Sequence, residues 1–122
     1  MFDMMMPTVG FVGAAIVVLG TGVWLTCSGR PFNTVLLAVH KLVALAVVAI
    51  LGVLAYRAAD AALLSTADWI LVISAGLLCL ASFASGGVVS ATEAAPAWVL
   101  WVHRIGTWFA AGAVGLCLVR LV

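Results

Sequence analysis

Val39-His40-Lys41-Leu42 opens an apolar run that ends near Arg57, and Val102-His103-Arg104-Ile105 opens a second that ends at Arg120. These two stretches hold both histidines of the chain, each followed at once by a cation and a branched aliphatic residue. Each histidine lies 17 residues before its second arginine, and Gly52 and Gly115 repeat at the 63-residue spacing of the histidines. The two runs are the second and fourth of four apolar segments, so the echo divides the chain into two tandem halves.

Working outward, the chain has 122 residues, 67% of them hydrophobic and 7% charged. A soluble domain carries about 25% charged residues, so this composition cannot cover a water-facing surface. A bilayer can. At about 20 apolar residues per span, the length predicts one domain, residues 1–122, with spans near 8–27, 32–56, 67–89 and 96–121. Short connections make sequential spans antiparallel neighbours. The expected fold is all-α: a transmembrane four-helix up-down-up-down bundle built from two tandem helical hairpins.

Several classes fall away. A net charge of +1 without a basic cluster argues against nucleic acid and against a headgroup-binding patch. Cys27, Cys79 and Cys117 form no CxxC and no metal-ligand spacing, and read as small buried side chains. The start, Met1-Phe2-Asp3-Met4-Met5-Met6-Pro7, has no basic region before the first apolar run, which predicts a retained first helix. No acid–base pair, nucleophile triad or metal-activated water can be assembled at sensible spacing, so the chain reads as an electron-transfer protein or subunit more than a self-contained enzyme.

Pro7 and Pro96 are expected in the first turns of helices 1 and 4. Ser65 or Thr66 suits the start of helix 3, and Thr92 or Glu93 the start of helix 4. Trp24, Trp69, Trp98 and Trp101 suit an aromatic belt, while Trp108 is deeper and suits core filling or a cofactor face. Arg57 and Arg120 read as interface anchors. In the odd-numbered spans Gly20-Thr21-Gly22-Val23-Trp24 aligns with Ser85-Gly86-Gly87-Val88-Val89 at an offset of 65.

An imidazole inside a bilayer is costly to bury unpaired, and ionisable groups in spans are functional candidates by default. His40 follows Pro31 by nine residues and His103 follows Pro96 by seven, so both are roughly 10–13 Å into their helices at 1.5 Å per residue. Spans 2 and 4 run parallel, which puts the two rings at one depth. Two inward imidazoles without a third ligand suit a planar metallomacrocycle, one haem b per chain, and suit tetrahedral zinc poorly. Small residues would let a macrocycle edge approach: Gly20 and Gly22 in span 1, Ala44 in span 2, Gly86 and Gly87 in span 3, Gly106 and Thr107 in span 4. Lys41 and Arg104 either snorkel or reach the haem propionates, with Arg30 and Asn33 as further candidates at that face. The ring N–H turned away from iron needs an acceptor, expected one turn earlier near Leu36 or Val99, and Thr107 is expected to bond its own helix backbone.

At His40 and His103, with their flanking small and basic residues, the chain resembles the four-helix bis-histidine transmembrane b-type cytochromes of bacterial inner membranes. The resemblance implies a haem b electron carrier in that membrane. Common members carry four histidines and two stacked haems, whereas two histidines allow one haem near one face. Across a hydrocarbon core about 30 Å thick, that favours exchange with quinone or with a redox partner at the same face over a transmembrane wire. Two other classes fit the histidines: a chlorophyll-type pigment-binding accessory subunit, with one pigment per histidine, and a haem-free scaffold or assembly subunit whose rings are satisfied by backbone or by each other. A homo-oligomer is compatible with each. Loop charges, Arg57 and Arg120 against Arg30, lean toward cytoplasmic termini.

Overall fold

The computed structural model describes residues 2–122, with the backbone alone for residues 2–5 and 7. The described chain is α1 (Phe2–Ser28), α2 (Thr34–Asp60), α3 (Thr66–Ala91) and α4 (Ala97–Leu121), with no strand among these residues. Each helix has the length and apolarity to cross a membrane, and the protein is an integral membrane protein of all-α class. The chain divides into two compact units, residues 1–53 with Val122, and residues 54–121.

Helix ends fall where local chemistry puts them. Gly29, at φ +68°, adopts the left-handed conformation that closes α1, as glycine commonly does after a helix. Asn33 accepts the Leu36 amide on Oδ1 at 3.0 Å and so starts α2. Ser65 caps α3 in a full capping box: its Oγ accepts from the Asp68 amide, and the Asp68 carboxylate accepts from the Ser65 amide at 3.0 Å.

Four boundaries differ from expectation. α1 starts five residues before Pro7, because one missing amide bond does not stop a helix whose other residues favour it. α2 continues past Arg57 to Asp60. There the Leu63 amide reaches back to the Ala58 carbonyl at 3.0 Å while Ala62 takes φ 53°, a Schellman closure with alanine where glycine is usual. Thr92 is the C-cap of α3, not a start for α4. Pro96 stands just before α4, its carbonyl accepting from the Val99 and Leu100 amides.

In the second unit α3 packs on α4 along a seam of small residues. Ala75, Cys79 and Ser85 are buried on α3, and Val99, Ala110, Val114, Cys117 and Leu118 on α4. Lipid tails are as apolar as leucine, so close backbone approach, not water exclusion, holds such helices together. Arg120, expected as a simple interface anchor, instead meets the Asp68 carboxylate at 3.3 Å, joining the last turn of α4 to the first turn of α3. In the first unit Phe11 and Leu25 of α1 and Leu51 of α2 are buried. The tryptophans stay out of the core: Trp108 is 60% exposed, contrary to core filling.

Replacing Ala62 by glycine removes the left-handed penalty of about 1–2 kcal/mol and should raise the unfolding midpoint in mixed micelles. Ser65→Ala, which deletes the α3 cap, should cost about 1 kcal/mol of stability and lower the midpoint. An unchanged midpoint for Ala62→Gly would contradict the closure described for α2.

Candidate functional site

His40 is the seventh residue of α2, and His103 the seventh of α4. That places each ring about 9 Å from the start of its helix, past the first turn.

In the first hairpin the His40 Nδ1 lies 3.0 Å from the Val18 carbonyl oxygen and 3.0 Å from the Thr21 Oγ1, both on α1. A carbonyl oxygen only accepts, so Nδ1 carries the proton and donates it. Thr21 has already given its own proton to the Val17 carbonyl at 2.6 Å, which leaves an oxygen lone pair facing the ring. With Nδ1 protonated, a neutral imidazole keeps its lone pair on Nε2.

The second hairpin repeats this. The His103 Nδ1 donates to the Ser82 carbonyl at 3.0 Å, with the Ser85 Oγ at 3.3 Å. Ser85 gives its proton to the Ala81 carbonyl at 2.7 Å. Behind each ring lies a glycine: a Cβ on Gly22 would come within 3.1 Å of the His40 Cε1, and one on Gly86 within 2.7 Å of the His103 Cε1. Imidazole, hydroxyl, carbonyl and glycine form one constellation, built twice.

That geometry corrects two expectations. The acceptors are the carbonyls of Val18 and Ser82 on the preceding helix, not those near Leu36 or Val99. Within a helix the carbonyl four residues back already receives the histidine's own amide, while the ring projects sideways toward its neighbour. The odd-numbered helices therefore correspond at an offset of 64, which pairs Thr21 with Ser85 and Gly22 with Gly86, instead of 65. Hydroxyl and histidine are 19 residues apart in the first hairpin and 18 in the second.

Gly22 and Gly86 seat the imidazoles themselves, whereas Gly20 and Gly87 have nothing within 4 Å of a Cβ position. Thr107 bonds its own helix as expected, donating to the His103 carbonyl at 2.6 Å. A Cβ on Gly106 would lie 3.7 Å from the Ser82 Oγ, a buried oxygen without a hydrogen-bond partner. Ala44 is half-buried on α2. Lys41 and Arg104 are exposed, each next in sequence to a half-buried ring. Arg30 stacks on Phe32 at 4.8 Å, and Asn33 is used as a cap.

Thr21, Ser85 and the carbonyls of Val18 and Ser82 are partners that the sequence reading did not single out. A signal was present: a hydroxyl residue followed by glycine, Thr21-Gly22 and Ser85-Gly86. The carbonyls carry none, since every residue has one. Among the described residues no three His, Cys, Asp or Glu side chains gather into a metal-holding group, so no closed tetrahedral site is built there. Compared with family models, curated proteins and solved structures, the chain finds no match.

Steric contact with a ring, unlike contact with a flexible chain end, cannot be relieved by a small rotation. Gly86→Ala should therefore displace His103 and weaken the α3–α4 pairing, with Gly22→Ala milder and Gly20→Ala and Gly87→Ala near neutral. Unfolding midpoints of the four variants in mixed micelles check this ranking, and equal effects from Gly86→Ala and Gly87→Ala would refute it.

Proposed function

We propose that the protein is a membrane-embedded haem b protein that takes one haem through His40 and His103 and exchanges electrons with quinone or a redox partner. The observation that carries the reading is the donor set. Each hairpin fixes its histidine with Nδ1 as donor to a main-chain carbonyl, which directs the Nε2 lone pair to any metal. An imidazole held by a carbonyl on its other nitrogen is the usual outer arrangement of a metal-ligating histidine, and it raises the basicity of the ligand. Two neutral nitrogen donors suit low-spin iron in a porphyrin, so the residues present fit the group. Bound there, the haem would supply a reversible one-electron couple.

The chain's own residues do the rest. Val18 and Ser82 hold the rings through their carbonyls, and the glycines beside them let the rings lie against the helix backbone. Lys41 and Arg104, exposed beside the ligands, offer cations for the two propionates. Ligands only about 9 Å into their helices favour a haem near one face and electron exchange on that side. The resemblance to bis-histidine cytochromes supports placement in a bacterial inner membrane, and the loop charges support cytoplasmic termini.

One observation favours a second reading. Both Nδ1 groups are satisfied within their own hairpins, so each histidine also serves as an interhelical clasp. A haem-free scaffold subunit would need nothing more.

Absorbance of the protein purified from haem-replete cells, before and after dithionite, decides between them. Haem b gives a sharp Soret band with split visible bands on reduction, and His40→Ala or His103→Ala should each abolish or convert the low-spin spectrum. A colourless preparation supports the clasp alone, and long-wavelength bands point to a chlorophyll-type pigment. If either single substitution leaves a haem spectrum intact, ligation by this pair is wrong.

A further inference from the structure

We infer that Thr21 and Ser85 are positioning residues for the two histidines, and that Thr21 makes His40 the more electron-rich ligand of the pair. The redox part of this inference rests on the haem reading; the hydrogen-bond part does not.

Each Nδ1–H meets two oxygens. One belongs to the main chain and is present whatever residue stands there. The other is a side-chain hydroxyl, and it is the part that sequence can tune. Its role is fixed as acceptor, because Thr21 and Ser85 each donate their own proton to a carbonyl four residues back, at 2.6 and 2.7 Å. A hydroxyl left to rotate could present either its proton or its lone pair to the ring. One held this way presents only the lone pair, and the alternative tautomer, with Nδ1 bare, would face two oxygens and no donor.

The two copies are not equal. Thr21 stands 3.0 Å from its Nδ1, the usual N–H···O length, and Ser85 3.3 Å, just past the usual range. Both carbonyls stand at 3.0 Å, so of the two oxygens that meet each Nδ1 it is the hydroxyl whose distance differs. The stronger the acceptance at Nδ1–H, the more negative charge the ring carries and the better its Nε2 donates. A better donor stabilises ferric over ferrous iron. His40 is the stronger donor by this measure, with Thr21 the larger determinant.

The test uses the full chain with ¹⁵N-labelled histidine, as wild type, Thr21→Val, Ser85→Ala, and the conservative swaps Thr21→Ser and Ser85→Thr. In haem-free protein, each wild-type ring should show a single tautomer protonated at Nδ1. The His40 Nδ1–H proton resonance should move upfield in Thr21→Val and by less for His103 in Ser85→Ala, with both conservative swaps close to wild type. In haem-loaded protein the midpoint potential should rise in the same order and return in Thr21→Ser, a pattern that loss of packing alone would not give. A ring protonated at Nε2, or an His40 resonance indifferent to Thr21→Val, overturns the positioning role. If the resonances move as expected but no haem binds, the haem reading fails and the positioning role stands. If haem binds and the potential ignores Thr21→Val, the claimed inequality of the ligands is wrong.

Discussion

An imidazole N–H placed in hydrocarbon has no water to fall back on, and an amide or hydroxyl left unpaired there costs several kcal/mol. In this protein acceptors on the adjacent helix meet each ring N–H. Both histidines reach across to a carbonyl 22 or 21 residues earlier in the chain. Much else follows from that reach. The helices must approach closely enough for a 3 Å bond, so glycine stands at positions 22 and 86, where a methyl group would meet the ring. The connections must be short and capped, so Gly29, Asn33, Thr92 and Pro96 end and begin the helices around them. The Val18 and Ser82 carbonyls, already committed to their own helices, use a second lone pair for the ring.

The second hairpin departs from the first in informative ways. Val18 becomes Ser82 at the acceptor position, and the ring is indifferent to the change because it uses only the carbonyl. The hydroxyl that serine brings is buried and without a partner, a local cost of about 1–3 kcal/mol that valine avoids. The seam around it is correspondingly small and close, with Ala75 and Cys117 fully buried, and the Arg120–Asp68 contact ties the far end. That ion pair, with Arg120 largely exposed, adds little energy. It does fix which face of α4 turns toward α3.

How much of this was legible in the sequence depends on what kind of atom carries each feature. Four apolar spans and two hairpins were readable from composition and from the repeat around His40 and His103, because burial in lipid acts on side chains. Helix ends were less readable. A left-handed Ala62 and a helix that starts before Pro7 are backbone outcomes that residue preferences work against. The histidine anchors were half visible. The rings could be found and their need for acceptors argued, and Thr107 was placed on its own helix as observed. Which carbonyl would answer could not be read, since an oxygen common to all residues leaves no mark in the alphabet. The alignment of Gly20-Thr21-Gly22 with its counterpart missed by one step because it matched small residues, whereas the structure matches the hydroxyl and the glycine that face the ring.

Because the acceptor for each ring is main chain, no substitution at position 18 or 82 can delete it; only a movement of one helix against the other can. The N–H···O length at Nδ1 is thus set by the distance between two helix backbones. The stretching frequency of that bond reads the same distance from within the bilayer. Each hairpin carries its own strain gauge, and the two can be distinguished by labelling one histidine at a time. Changes in lipid thickness, in temperature or in the company the protein keeps would register in these two vibrations before any helix had moved far enough to separate.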